Sequence, residues 1–190
     1  MLSYQMGSNR QQLKAELTSY KSDFKEELAF RDRMIALLSF SNCFERSLLH
    51  AHFTASAWVV DKNFELALLT HHAKLNRWLQ LGGHADGIED LRELARKELE
   101  EESGLSNTRF YTEGIFDIDI HTIPERKGIP AHDHYDVRFL FVADLEEEVQ
   151  KNHESIAVAW KAFDDIPALC NGNESMLRMI KKTETIRAKM

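Results

Sequence analysis

Residues 88–105, IEDLRELARKELEEESGL, are the segment that most limits what this chain can become. Good helix formers run through it without glycine or proline until Gly104, and that glycine stands where a helix commonly ends on a left-handed residue. A single helix is therefore expected. Residues spaced i, i+3, i+4 and i+7 share one helix face. Beginning at Leu91, that face reads Leu91, Leu94, Ala95, Glu98, Glu101, Glu102 and Leu105. It starts as core and turns into carboxylates where core should continue, while Glu100 falls on the opposite side. The C-terminal end of a helix carries partial negative charge and disfavours such crowding. Neighbouring carboxylates also raise one another's pKa. Two readings stay open on the stripe alone: a solvated, charge-rich helix end, or a site for a divalent cation. Carboxylate oxygens, with waters and substrate phosphates completing the shell, are what Mg²⁺ takes.

The segments around this helix read mainly as strands. HFTASAWVVD (52–61) and FELALLTHH (64–72) are two of them, joined by a turn at DKN. RWLQLGGHADG (77–87) is a short apolar strand running into a glycine-rich loop. IFDIDIHTI (115–123) alternates, with Phe116, Ile118 and Ile120 on one side and Asp117, Asp119 and His121 on the other. ERKGIPAHDH (125–134) reads as a loop, and YDVRFLFVADL and IAVAWKAF as strands, the latter ended by DDIP. A last helix is expected over 173–188, starting near Asn173, with Met176, Ile180 and Ile186 inward. Strands surrounding one central helix, without regular βαβ alternation, indicate an α+β (mixed α/β) fold.

Residues 9–40 read as helical, with Leu13, Leu17 and Tyr20 at helical spacing. A second helix opens at Asp23, where Glu26 three residues on suggests a capping box; Phe24, Leu28, Met34 and Leu38 would be its apolar stripe. Residues 1–8 are expected to be unordered. No glycine or proline separates Gly7 from Gly82, so no flexible linker is visible. The chain thus divides into a helical extension, 1–50, and a domain, 51–190. A cap packed on the domain is the expected role of the extension, with a dimerisation arm, and so a homodimer, as the alternative.

Composition excludes more than it assigns. A net charge of −7 argues against nucleic-acid binding by bulk electrostatics, and an anionic substrate would need a cation between it and the protein. Cys43 and Cys170 stand far apart in no CxxC pair, which excludes a disulfide framework and suits a reducing cytoplasm. No run approaches the ~18 apolar residues of a membrane span, and MLSYQMGSNR lacks the apolar core of a signal peptide.

Gly83, Glu89, Lys97-Glu98-Leu99, Glu101-Glu102 and Gly104-Leu105 resemble the Nudix box, Gly-x5-Glu-x7-Arg-Glu-U-x-Glu-Glu-x-Gly-U, where U is aliphatic. Eight of the nine fixed positions match; Lys97 stands where the family has arginine. The resemblance covers about residues 50–170 and leaves out the N-terminal helices. It implies a Nudix fold, a mixed sheet sandwiched between helices. It also implies hydrolysis of a small-molecule nucleoside diphosphate derivative with Mg²⁺ or Mn²⁺. By position, Glu98 and Glu102 would be the principal metal ligands, Glu101 a further ligand or the general base, and the Gly83 carbonyl a ligand from the loop. Glu89 would hold the box through the basic residue that is here Lys97. Some members take their base from outside the box, for which Glu154 is the candidate. Lysine at 97 gives a single point charge where arginine gives a planar fork.

The remaining candidates are weaker. His84, Arg77 and Arg138 are possible phosphate or substrate contacts. Nine histidines show no four-ligand zinc spacing, and Trp58, Trp78 and Trp160 read as core. The competing functions are a non-catalytic Nudix-like nucleotide-binding module and a prenyl diphosphate isomerase on the same fold. The sequence around Cys43, SNCFERS, does not match the cysteine motif such isomerases use.

Overall fold

The computed structural model describes residues 3–126 and 128–190. Among them are five helices, α1 (Ser3–Ser19), α2 (Lys25–Leu37), α3 (Leu91–Ser103), α4 (Ile166–Leu169) and α5 (Glu174–Arg187). The strands are β1 (Ala51–Val60), β2 (Leu66–His72), β3 (Arg77–Leu79), β4 (Leu81–His84), β5 (Arg109–Phe110), β6 (Asp117–Ile123), β7 (His132–Val142) and β8 (Ser155–Ala162). They form one eight-stranded sheet of order β3-β2-β1-β7-β5, with β4 also pairing β1, β6 pairing β7 and β8 pairing β2. The α+β expectation holds. Helix α1 runs over Ser3–Ser19; the expectation for residues 1–8 rests on residues that are not fully described.

The chain divides into two compact units that interleave in sequence. The first comprises Met1–Ala55, Gly83–Leu94 and Gly114–Arg138. In it α1 packs on α2 and α2 on β6, as a cap does. Leu13, Leu17 and Tyr20 are buried, as their spacing predicts. The stripe on α2 differs from its expected form. Met34, Leu37 and Leu38 are buried, but so is Glu27, whereas Phe24 and Leu28 are only half-buried. Glu27 accepts hydrogen bonds from the Tyr20 hydroxyl (2.7 Å), the Ser22 hydroxyl and the Ile118 N–H (3.2 Å). A carboxylate with three donors can sit where an unpartnered one could not. The helix begins one residue later than the expected Asp23 cap. Phe24 is the N-cap, without a side-chain cap, and its own N–H donates to the Ser22 hydroxyl (3.0 Å).

Strands β6 and β7 pair antiparallel from Asp117↔Arg138 to Ile123↔His132. The ladder draws residues 132–134 out of the expected loop and into β7. It also places the acidic face of β6 in the interior. Arg138, 2% exposed, donates to Asp136 (2.7 Å) and Asp117 (3.0 Å) and lies 3.3 Å from Asp119. Burial alone would lower the pKa of this guanidinium, but Asp119, Asp136 and Asp117 together hold it above its ordinary value.

The second unit comprises Ser56–Gly82, Ala95–Glu113 and Phe139–Met190. Its centre is β2, paired antiparallel with β3 and β8. The turn into β2 is built by buried Asp61, whose carboxylate accepts from the N–H groups of Asn63 (3.0 Å), Glu65 (2.8 Å) and Leu66 (2.8 Å). Helix α5 begins as expected, with Asn173 as N-cap accepting from Met176 N–H, and buries Met176 and Ile180; Ile186 is half-buried. Trp58 is fully buried, and its indole N–H donates to Thr183 (2.9 Å).

Helix α3 buries Leu91, Leu94, Ala95 and Leu99. Asp90 starts it, accepting from Glu93 N–H (3.1 Å). Gly104 ends it at φ +73°, its N–H donating to the Glu100 carbonyl (2.9 Å). Among the described residues, no helix is long and apolar enough to cross a membrane.

Candidate active site

One turn of α3 carries Glu98 and Glu102, both half-buried. They sit past Leu91, Leu94 and Ala95 on the face that begins as core, so backbone geometry aims them inward. Glu102 is the strained member. One of its carboxylate oxygens is shielded from solvent with no hydrogen-bond partner. Burial, then the charge on Glu98, pushes its pKa up to about 8; a hydrogen bond with the Gly82 backbone opposes this and Glu154 adds to it. A second carboxylate beside a buried one, with one oxygen orphaned, is an arrangement that a cation would relieve. Glu101 turns outward. It is 57% exposed, and Lys97 lies 3.7 Å from it, one turn back. Glu100 is exposed.

Glu154 precedes β8 and is 49% exposed; Lys74 lies 3.6 Å from it. Arg77 is exposed on β3, opposite His72. Gly83 lies within β4, half-buried. The box-supporting pair differs from expectation. Glu89 is held by Arg10 of α1, whose guanidinium donates twice to one carboxylate oxygen (3.0 and 2.7 Å) and also to the carbonyls of Phe40 and Ser41. Lys97 turns instead to Glu101. The planar arginine fork spans acceptors set apart from one another, where a lysine offers one compact point charge. Nothing in the sequence flagged Arg10, because it is 79 residues from its partner. Arg138 is a correction too: enclosed by three carboxylates, it has no face left for a phosphate.

Histidines gather although the sequence shows no four-ligand spacing. His52, His84, His121, His132 and His134 come from β1, β4, β6 and β7, and neighbouring ring centroids lie 4.7–5.4 Å apart. One ring nitrogen from each of His52, His132 and His134 falls within 4.8 Å of the others. Burial lowers the pKa of His134 to about 2, aided by His84 and His121. Burial likewise lowers His84 to about 4, with Arg46 and His52 adding to it, and it lowers His52. The legible signal was His132 and His134 two residues apart, hence on one face of a strand. Register supplied the rest, setting His121 directly opposite His134.

The model of the NUDIX domain matches residues 50–182, well over half of the chain. The chain belongs to the NUDIX family. Solved structures similar to this NUDIX protein include a C. elegans Ap4A hydrolase binary complex, at 20% identity and a TM-score of 0.59, covering 73% of this chain and 98% of that one. A NUDIX-family hydrolase from Clostridium perfringens has 25% identity and a TM-score of 0.53, with 71% and 97% covered. The E. coli dihydroneopterin triphosphate pyrophosphohydrolase has 12% identity and a TM-score of 0.55, with 70% and 95% covered. No curated protein sequence matches. The NUDIX assignment makes the chain a pyrophosphohydrolase of the family type and gives the α3 carboxylates their context.

Proposed function

We propose that this NUDIX chain cleaves the pyrophosphate bond of a nucleoside diphosphate derivative with Mg²⁺ or Mn²⁺. The carrying observation is Glu102, with its orphaned oxygen and a pKa raised to about 8 beside Glu98. That state is costly for a metal-free carboxylate and suits a cation ligand. Glu98 and Glu102 would hold the metal, with Glu101 and the Gly83 carbonyl as further donors. When bound, the metal would neutralise phosphate charge and lower the pKa of its water.

The chain's own groups would do the rest. Glu101 or Glu154 would accept the proton of the attacking water; both are exposed enough to exchange it with solvent. Lys97 would tune Glu101 through the contact between them. His84 and Arg77 remain candidates for substrate contact. A reducing, cytoplasmic setting fits two buried free cysteines. The homodimer expectation gains no support, since α1 packs on α2 of its own chain.

The test is a panel of ADP-ribose, nucleotide sugars, dinucleoside polyphosphates and oxidised nucleotides with each metal, read by product mass. Metal roles of this kind supply several kcal/mol, so Glu98→Gln and Glu102→Gln should each lose activity about a hundredfold or more. Lys97→Arg should equal or exceed the parent. Full turnover in both glutamine variants would overturn the proposal. Binding without turnover across the panel would favour a nucleotide-binding module.

A further inference from the structure

We infer that His52, His132 and His134 form a second metal centre, built from residues other than the α3 carboxylates and suited to a first-row transition ion such as Zn²⁺. The geometry comes first. Each residue offers one ring nitrogen, all within 4.8 Å of one another. Zinc–imidazole bonds of about 2.0–2.1 Å in a tetrahedral shell put ligand nitrogens about 3.4 Å apart, so the rings would close by an ångström or so on loading. Small side-chain rotations supply that.

Orphaned atoms come second. Nε2 of His134 is shielded from solvent with no hydrogen-bond partner, and the ring nitrogens of His52 are shielded too, with the Leu48 backbone beside them. A buried imidazole nitrogen without a partner is costly, and an ion held by one nitrogen from each ring would relieve it. Outer contacts come third. His132 Nδ1 lies 2.9 Å from the Pro130 carbonyl; donating to it fixes the tautomer and leaves Nε2 free to bind. His121, beside His134, has its Nδ1 3.2 Å from Asp119, itself beside Arg138. Ligating histidines are typically oriented by a carbonyl or carboxylate in this way. His84, its ring 4.7 Å from that of His134, is placed to supply a fourth nitrogen or to leave that position to water.

The donor set decides the ion. Imidazole suits Zn, Cu, Fe and Ni, whereas Mg²⁺ prefers oxygen. The two centres would therefore take different metals.

The experiment uses the full chain with any affinity tag removed, stripped with chelator and then titrated with Zn²⁺ in excess Mg²⁺. Retained metal is counted after gel filtration, and Co²⁺ serves as a visible-absorption probe. The wild type should retain one zinc equivalent and give a tetrahedral Co²⁺ band. His134→Ala should lose most of that equivalent. His132→Ala, at a half-buried and more forgiving position, should weaken binding about tenfold or more. Glu98→Gln/Glu102→Gln should retain zinc in full, which separates this centre from the hydrolase reading. No retained zinc in the wild type, or wild-type retention in both His132→Ala and His134→Ala, would overturn the inference. If His134→Ala does not fold, His132→Ala and the wild-type Co²⁺ spectrum still decide it.

Discussion

At the residue scale, Glu102 makes pH a handle on the site. Its pKa is raised from 4.5 to about 8 in the metal-free protein. Between those values the folded chain keeps a proton that the unfolded chain has lost, so stability should fall as pH rises through this window. Outside it, Glu102 contributes no slope. Glu102→Gln should flatten the stability–pH curve between pH 5 and 8, measured by urea unfolding in chelator; an unchanged slope would refute the shift. A ligand carboxylate must also shed its proton to coordinate. Mg²⁺ binding at pH 7 should therefore release protons, read as a buffer-dependent binding enthalpy.

At the scale of elements, periodicity carried the fold a long way. The 3.6-residue pattern located α3, α5 and the core face of α1, and alternation located β6. What periodicity could not give was pairing. Strand β5 is two residues long and exists because Arg109 and Phe110 meet Val142 and Phe141. The buried acids Glu27, Asp117 and Asp119 break the rule that carboxylates face water; Tyr20, Ser22 and the Ile118 N–H hold the first and Arg138 the other two. Glu98 and Glu102 were readable because helix geometry alone sets their face; the histidine centre was not, because four strands must first align. The end of α3 gives a direct test. Gly104 lies at φ +73°, and a Cβ there would meet Gln150 Cβ at 3.1 Å. Gly104→Ala should cost about 1–2 kcal/mol in unfolding free energy from the left-handed backbone alone. A stability equal to the parent would mean that the helix ends differently in solution.

At the scale of the whole molecule, the boundary expected at residue 50 separates less than it suggested. The first 50 residues cluster with Gly83–Leu94 and Gly114–Arg138 in one compact unit. Removing them would uncover the β6 surface beneath α2, strip Glu27 from Ile118 and leave Glu89 without its arginine. A 51–190 fragment should be aggregation-prone or lose a cooperative melt. A fragment that melts as sharply and as high as the full chain would restore the two-part division. Arg10→Ala removes the bonds to Glu89 and to the Phe40 and Ser41 carbonyls, and should cost about 1–3 kcal/mol, the usual penalty for a buried acceptor left unpaired.

The Arg10–Glu89 clamp also bears on how such a sequence can drift. With Arg10 holding Glu89, a lysine at 97 should be tolerated, and Lys97→Arg should leave stability unchanged. Lineages that lose the leading helices would have to recover an arginine at 97, and the two features should be inherited as alternatives.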